Sequence, residues 1–218
     1  MSEWDTFISV EEDLINANLR LAEKNAEYFR KRNIRVFEIL GNIGSGKTSL
    51  IECMVSKLKD KYKILVVNGD LATSIDADRI KKYGVYAIQI NTGKECHLDA
   101  NSIQPIFEKF PDDVNLCFIE QVGNMICPAD FPHGAEKRIV VFGITNGPYI
   151  VQKHPVIFLE SEIVVINKVD IADYVEMDKK SREKLVEDCK KINPKIKVIF
   201  TSAKTGEGVD ELIKELNL

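Results

Sequence analysis

Short runs of β-branched and aromatic residues alternate along this chain with segments in which apolar residues recur at helical spacing. The runs Arg35–Leu40, Lys63–Asn68, Val85–Ile90, Leu116–Glu120, Arg138–Gly143, Ile163–Ile166 and Lys197–Phe200 predict strands. Between them, helices are expected from Lys47 to about Lys59, Asp76 to Tyr83, near Ala100 to Lys109, Met177 to Ile192 and Val209 to Leu216. Strand and helix in regular alternation predict an α/β fold, a mostly parallel sheet flanked by helices. Upstream, Val10, Leu14, Ala17, Leu21 and Tyr28 recur on one helical face, Ser9 with Glu12 offers a capping box, and the segment closes on Arg30-Lys31-Arg32. Residues 1–32 therefore read as an N-terminal helical segment and residues 33–218 as one α/β domain. No internal repeat, low-complexity tract or linker interrupts the pattern. The Pro/Gly-rich stretch Cys127 to Gly134 reads as a functional loop inside the domain.

In a parallel sheet ligands gather beyond the carboxyl ends of the strands, so the loops that follow strands are where chemistry is sought. The first is Gly41-Asn42-Ile43-Gly44-Ser45-Gly46-Lys47-Thr48, which fits G-x-x-x-x-G-K-[ST]. It lies between a predicted strand and a predicted helix, so its amides sit at a helix N-terminus and close around nucleotide phosphates. Lys47 reaches the outer phosphates and Thr48 a magnesium ion, while Gly41, Asn42, Gly44, Ser45, Gly46 and Ser49 complete the phosphate-binding set.

The base is specified further along. In Asn167-Lys168-Val169-Asp170 the carboxylate of Asp170 can accept from both N1–H and the 2-amino group of guanine. Adenine lacks both donors and would leave that carboxylate unpaired, at roughly 1–3 kcal/mol per missing bond. Ser202-Ala203-Lys204 resembles the S-A-K element, whose Ala203 N–H would donate to guanine O6. Together the two stretches select GTP over ATP.

Glu120-Gln121-Val122-Gly123 closes another strand and resembles the D-x-x-G element of GTPases with glutamate for aspartate. Glu120 is a candidate for the magnesium shell through water, and the Gly123 N–H for sensing the terminal phosphate. Asp70 is a second carboxylate on the same rim, suited to the magnesium shell or to orienting water; Asp76 is a further candidate, with helix capping an equal alternative. Lys47, Asp70 and Asp76 are thus the candidate catalytic groups, and Thr48, Asp70 and Glu120 the candidate magnesium ligands.

Composition narrows the class without changing it. The chain of 218 residues is 44% apolar and 29% charged, with a net charge of −4, so neither nucleic acid nor an anionic membrane is an expected partner. No stretch is long and apolar enough to span a bilayer. Five cysteines without framework spacing fit a reducing compartment, and a cytoplasmic location is expected. Cys96-His97 and Cys127 each follow a strand, so two thiols and an imidazole can converge as ligands for zinc or nickel; the alternative is that these cysteines simply pack. Cys53, Cys117 and Cys189 lie on helix or strand patterns and read as packing, and His133 and His154 as structural or solvent-exposed loop histidines. Three ligands leave a tetrahedral site incomplete, and a second subunit presenting the same loop would complete it.

Asn91-Thr92-Gly93-Lys94-Glu95-Cys96-His97-Leu98-Asp99-Ala100, with the stretch Phe118 to Phe131, closely resembles the HypB family of hydrogenase nickel-incorporation GTPases, over roughly Val10 to the C-terminus. The resemblance implies that residues 33–218 are a SIMIBI-class G domain that dimerises with GTP. It also implies nickel or zinc at Cys96, His97 and Cys127, and work with a partner nickel chaperone on the hydrogenase large subunit. Three departures stand out: Gln121 where the family usually has asparagine, Thr145-Asn146-Gly147-Pro148-Tyr149 in place of an acidic segment, and no Cys-rich or His-rich N-terminal extension, so no high-affinity N-terminal site is expected. A urease-accessory nickel GTPase would carry a C-P-H triplet where this chain has Cys127-Pro128-Ala129. A metal-binding module on a vestigial G domain, or a P-loop small-molecule kinase with an Arg-rich lid to which Arg138 alone would contribute, are the remaining alternatives.

Overall fold

All seven apolar runs pair side by side in one parallel sheet. The computed structural model describes the backbone of residues 3–218 and the side chains of residues 13–218. The strands are β1 (Arg35–Leu40), β2 (Ile64–Asp70), β3 (Tyr86–Asn91), β4 (Leu116–Glu120), β5 (Lys137–Gly143), β6 (Ile163–Asn167) and β7 (Lys197–Phe200), in the spatial order β3-β2-β4-β1-β5-β6-β7. From β1 the chain runs outward to β2 and β3, returns to insert β4 beside β1, then crosses to β5, β6 and β7 on the other side. Every crossover brings a loop back to the same carboxyl edge, which is why segments far apart in sequence meet there.

Alternation along each strand divides the core into two layers. Phe37, Ile39, Ile139 and Val141 face α2 (Lys47–Leu58) and α8 (Val209–Glu215), and Leu50, Ile51, Met54 and Val55 fill that layer. Val36 belongs with Phe29 and Leu98 on the opposite face, while Leu40, Val140 and Phe142 meet Phe158, Leu185 and Cys189 there, under α7 (Lys179–Ile192). Burying each of these large apolar side chains contributes roughly 1.5–3 kcal/mol. Glu38 and Arg138 lie between the two clusters of that second face and are register partners on β1 and β5.

Three expectations are corrected. The stretch Ala100 to Lys109 is not one helix: α4 (Ala100–Ile103) hands over to a 3₁₀ turn at Gln104–Lys109, because Pro105 supplies no N–H to an α-helical ladder. Two short helices, α5 (Ile150–Lys153) and α6 (Pro155–Leu159), follow β5 where no helix was expected. The long helix α1 (Glu3–Lys31) begins ahead of Ser9, so Ser9 lies within it; the side chains of Ser9, Val10 and Glu12 lie outside the described residues.

The buried face of α1 is also not the one its apolar residues suggest. Leu14 is 60% exposed, while Asn18, Ala22, Asn25 and Phe29 are buried. The two asparagines go inside because loop backbone takes up their amide donors, and for Asn18 its acceptor as well; Asn25 Oδ1 is buried without a partner. Asn18 donates to Pro132 O (3.0 Å) and accepts from Ala100 N (2.8 Å); Asn25 donates to Ala100 O (2.9 Å) and His133 O (3.0 Å). No helix of the described residues is long and apolar enough to cross a membrane.

Candidate functional site

The loop between β1 and α2 has the shape that phosphate binding needs. A Cβ on Gly41 (φ +147°) would lie 2.0 Å from Val141 O, and one on Gly46 (φ +91°) 2.4 Å from Asn167 Nδ2, so neither position admits a side chain. Lys47 folds back over the loop, its Nζ donating to Gly41 O (3.1 Å) and Asn42 O (3.3 Å), and burial pushes its pKa below the ordinary lysine value. Phosphate oxygens can take over those bonds. Ser45 Oγ is buried with no hydrogen-bond partner, an orphan donor on the same loop.

Beside it opens a cleft of about 460 Å³ lined by Lys47, Thr48, Asp70, Asp76, Glu120 and Gly123 among others. Thr48 Oγ1 donates to Glu120 Oε1 at 2.7 Å, and Asn68 Nδ2 to Glu120 Oε2 at 2.8 Å. Hydroxyl and carboxylate oxygens touching one another are a donor set suited to magnesium. Glu120 carries the cost of its burial: desolvation raises its pKa to about 7, against the opposing pull of Lys47 and the Thr48 bond. Asp70 is engaged otherwise. Its carboxylate accepts from Leu71 N (2.8 Å), Thr73 N (3.0 Å) and the Thr73 hydroxyl, and although burial opposes them these bonds hold its pKa below the usual range. Asp76 is not the cap of α3 (Ile75–Lys81), a place taken by Ser74; it lies in the first turn and pairs with Arg79 at 3.3 Å. Arg79, which the sequence did not single out, also lines this cleft and donates to Ser49 Oγ (3.0 Å) and Glu52 Oε1 (3.1 Å).

Glu120 yields a pH prediction. A carboxyl whose folded pKa lies above its unfolded value favours the folded state below about 4.5, and that contribution is lost as pH rises through about 7, an effect of about 3 kcal/mol. Glu120→Gln removes it, and the buried, unpartnered Asn68 Oδ1 can accept from the new amide. Thermal melts without nucleotide should therefore show the variant gaining on wild type between pH 5 and pH 8. A difference in melting temperature that stays constant from pH 5 to pH 8 would show that Lys47, Thr48 and Asn68 fully compensate the charge.

A second cleft, of about 640 Å³, is lined by Gly46, Asn167, Lys168, Asp170, Ala203 and Lys204 among others. Asn167 pins three loops together, donating to Ser45 O (3.0 Å) and accepting from Thr201 Oγ1 and Ala203 N (both 3.1 Å). Ser202 Oγ donates to Asp170 Oδ1 at 2.7 Å and orients that carboxylate. The Ala203 N–H is already bonded to Asn167, so a purine O6 must share that donor with it.

On the far side of Glu120 the loops after β3 and β4 converge. Ligand atoms of Cys96, His97 and Cys127 all lie within 4.8 Å of one another, all half-buried. Cys96 Sγ is 3.8 Å from His97 Nδ1, the His97 ring packs 4.6 Å from Phe131, and the hydrogen bond with Cys127 raises the Cys96 pKa. Two soft thiols with an imidazole suit zinc or nickel and leave a fourth position open. The remaining cysteines stand apart: Cys117 and Cys189 are buried, the latter with its pKa pushed up to about 12 by desolvation, and Cys53 lies half-buried on α2. His133 is wholly buried; Arg138 belongs to no lid, its Nε donating to Glu38 at 3.0 Å. Glu38 and Asn68 were not singled out by sequence, although a carboxylate amid the apolar run of β1 was a signal, and Arg138 was weighed only as a lid residue.

Residues 35–200 match the family model described as CobW/HypB/UreG, nucleotide-binding domain. The chain is 45% identical over 208 residues to a probable hydrogenase maturation factor HypB of Methanocaldococcus jannaschii, covering 95% of this chain and 93% of that one. Among solved structures it is similar to the hydrogenase maturation factor HypB of Archaeoglobus fulgidus, with 44% identity, a TM-score of 0.85 and coverage of 93% and 98%. It is also similar to HypB of Helicobacter pylori in complex with nickel, with 32% identity, a TM-score of 0.86 and coverage of 92% and 94%.

Proposed function

Because the chain belongs to the HypB family of hydrogenase maturation factors, within the CobW/HypB/UreG nucleotide-binding domains, we propose that it hydrolyses GTP to time the delivery of nickel during hydrogenase maturation. The observation that carries this reading is the cluster of Cys96, His97 and Cys127, whose third member follows Glu120 and Gly123 on one continuous loop. Nickel is the cargo here; zinc is the competing occupant of the same three ligands.

In this reading Gly41, Asn42, Gly44, Ser45, Gly46 and Ser49 cradle the phosphates, Lys47 neutralises charge on the outer ones, and Gly123 senses the terminal one. Asn167, Lys168, Asp170, Ser202, Ala203 and Lys204 hold guanine. Thr48 and Glu120 hold magnesium, which would supply charge neutralisation at the leaving group. Asp76 orients the attacking water, since the bonds of Asp70 are spent on its own turn. Ala129 is buried where the urease-type triplet has histidine, which favours the hydrogenase reading. GTP-promoted dimerisation would bring a second copy of the three ligands, and a partner nickel chaperone and the hydrogenase large subunit would be the donor and acceptor of the metal.

The test is a titration of nickel and of zinc into protein bearing GDP or a non-hydrolysable GTP analogue, with mass followed by light scattering. Wild type should bind nickel with different affinity in the two states, by about 5- to 150-fold, and Cys96→Ala or Cys127→Ala should abolish that binding. Identical isotherms and identical mass in both states would reject a nucleotide-timed chaperone.

A further inference from the structure

We propose that Gln121 and Asn124, neither of them a metal ligand, form a two-amide lock that positions the Cys96-His97 loop against the Cys127 loop and couples both to the phosphate loop. The proposal rests on the nickel reading above and adds the residues through which the nucleotide acts on the metal site.

Gln121 is 1% exposed, and its amide closes on both backbone groups of Leu98, the residue after His97: Oε1 accepts from Leu98 N and Nε2 donates to Leu98 O, both at 2.9 Å. A side chain here takes the place of a neighbouring strand. Its own main chain extends the sheet, Gln121 N donating to Ile39 O at 2.9 Å, one residue beyond Glu120. The amide orientation is over-determined, because Nε2 also lies 2.8 Å from His133 Nε2 and 3.1 Å from Glu38 Oε1. His133 Nε2 also lies 3.1 Å from Leu98 O and its Nδ1 3.4 Å from Glu38 Oε1, so ring and amide converge on the same two acceptors, and burial lowers the His133 pKa toward the neutral form. Glu38 also takes the Arg138 Nε bond, and the same guanidinium donates to Ala129 O at 2.9 Å and to Pro128 O, the two residues after Cys127. One buried carboxylate thus stands behind both metal loops, reaching the first through Gln121 and the second through Arg138.

Asn124 supplies the link to the nucleotide. Its Nδ2 donates to Cys96 O at 3.4 Å and its Oδ1 accepts from Ile126 N at 2.9 Å, so one side chain spans the backbones of both metal loops. Its main chain pairs with Gly41 of the phosphate loop in an antiparallel bridge. The adjacent Gly123 fits so closely over Ile43 that a Cβ would lie 2.3 Å from Ile43 Cγ1. A shift of the phosphate loop must therefore carry Asn124 with it, and with Asn124 the spacing of the thiols.

The experiment measures nickel isotherms and the thiolate-to-nickel charge-transfer band for wild type, Gln121→Leu and Asn124→Ala, each with GDP and with a non-hydrolysable GTP analogue. Gln121→Leu should keep its GDP affinity and weaken nickel by about 10- to 100-fold in both states, the size expected of a group that orients ligands. Asn124→Ala should keep the band and its GDP affinity, while the ratio of nickel affinities between the two states falls toward one. Should Gln121→Leu fail to fold, the half-buried Asn124→Ala, which leaves the buried network untouched, decides the matter alone. Nickel isotherms of the folded variants that overlay wild type in both states overturn the lock. Wild-type protein that binds no nickel at all overturns the metal-site reading instead, and the lock with it.

Discussion

Asp170→Asn is expected to lower affinity for GTP by about 10²- to 10⁴-fold and to make xanthosine triphosphate the better ligand. In the proposed function the carboxylate would accept from two guanine donors at once, and hydrogen bonds to a charged acceptor are worth roughly 1.5–3 kcal/mol each. Ser202 Oγ already holds Asp170 Oδ1 at 2.7 Å, so the group is oriented before a base arrives. An amide in its place can accept from N1–H but meets the 2-amino group of guanine donor to donor. Xanthine presents an oxygen at that position, which turns the clash into a bond. Competition of both triphosphates against a fluorescent GDP would read the exchange directly. Unchanged GTP affinity would remove Asp170 from base recognition.

Lys47→Ala is expected to lower the turnover of GTP by at least about 10²-fold, the loss typical of removing one preorganised charge or donor from a transition state. The fold should not suffer. Desolvation depresses the Lys47 pKa against the pull of Glu120 and Asp76 and the bonds to two loop carbonyls, so the buried charge adds little to the folded state. Melting temperature without nucleotide should stay level or rise, and phosphate release should fall to background. Wild-type turnover in the variant would show that the charge is supplied elsewhere, with Arg79 in the same cleft the first group to examine.

These effects trace to residues that declare themselves in sequence, because a phosphate loop and a guanine clamp are local: each is a few consecutive residues whose spacing is their chemistry. The convergence of Cys96, His97 and Cys127 was legible one step further on, since both loops follow strands of a parallel sheet and must emerge at one edge. What lay hidden depends on register. Glu38 and Arg138 are a hundred positions apart and meet only because β1 and β5 pair with those residues opposite each other. His133 looked like any loop histidine until the burial of its ring put it between Gln121 and Glu38. The inward face of α1 was misread for a related reason: hydrophobic periodicity finds apolar stripes, and this helix buries Asn18 and Asn25 instead. Helices α5 and α6 span four and five residues, too short for any period to show.

Those two asparagines also decide what can be exchanged between proteins of this kind. By sequence the boundary at residue 32 looks like a seam, with a helix on one side and a self-sufficient sheet on the other. Asn18 and Asn25 cross that seam to hold Ala100, Pro132 and His133, the segments from which the two cysteine-bearing loops spring. Grafting the sheet without its helix would strand these backbone groups at roughly 1–3 kcal/mol for each one left buried. The helix and the two cysteine-bearing loops therefore form a single heritable part, to be transplanted whole or not at all.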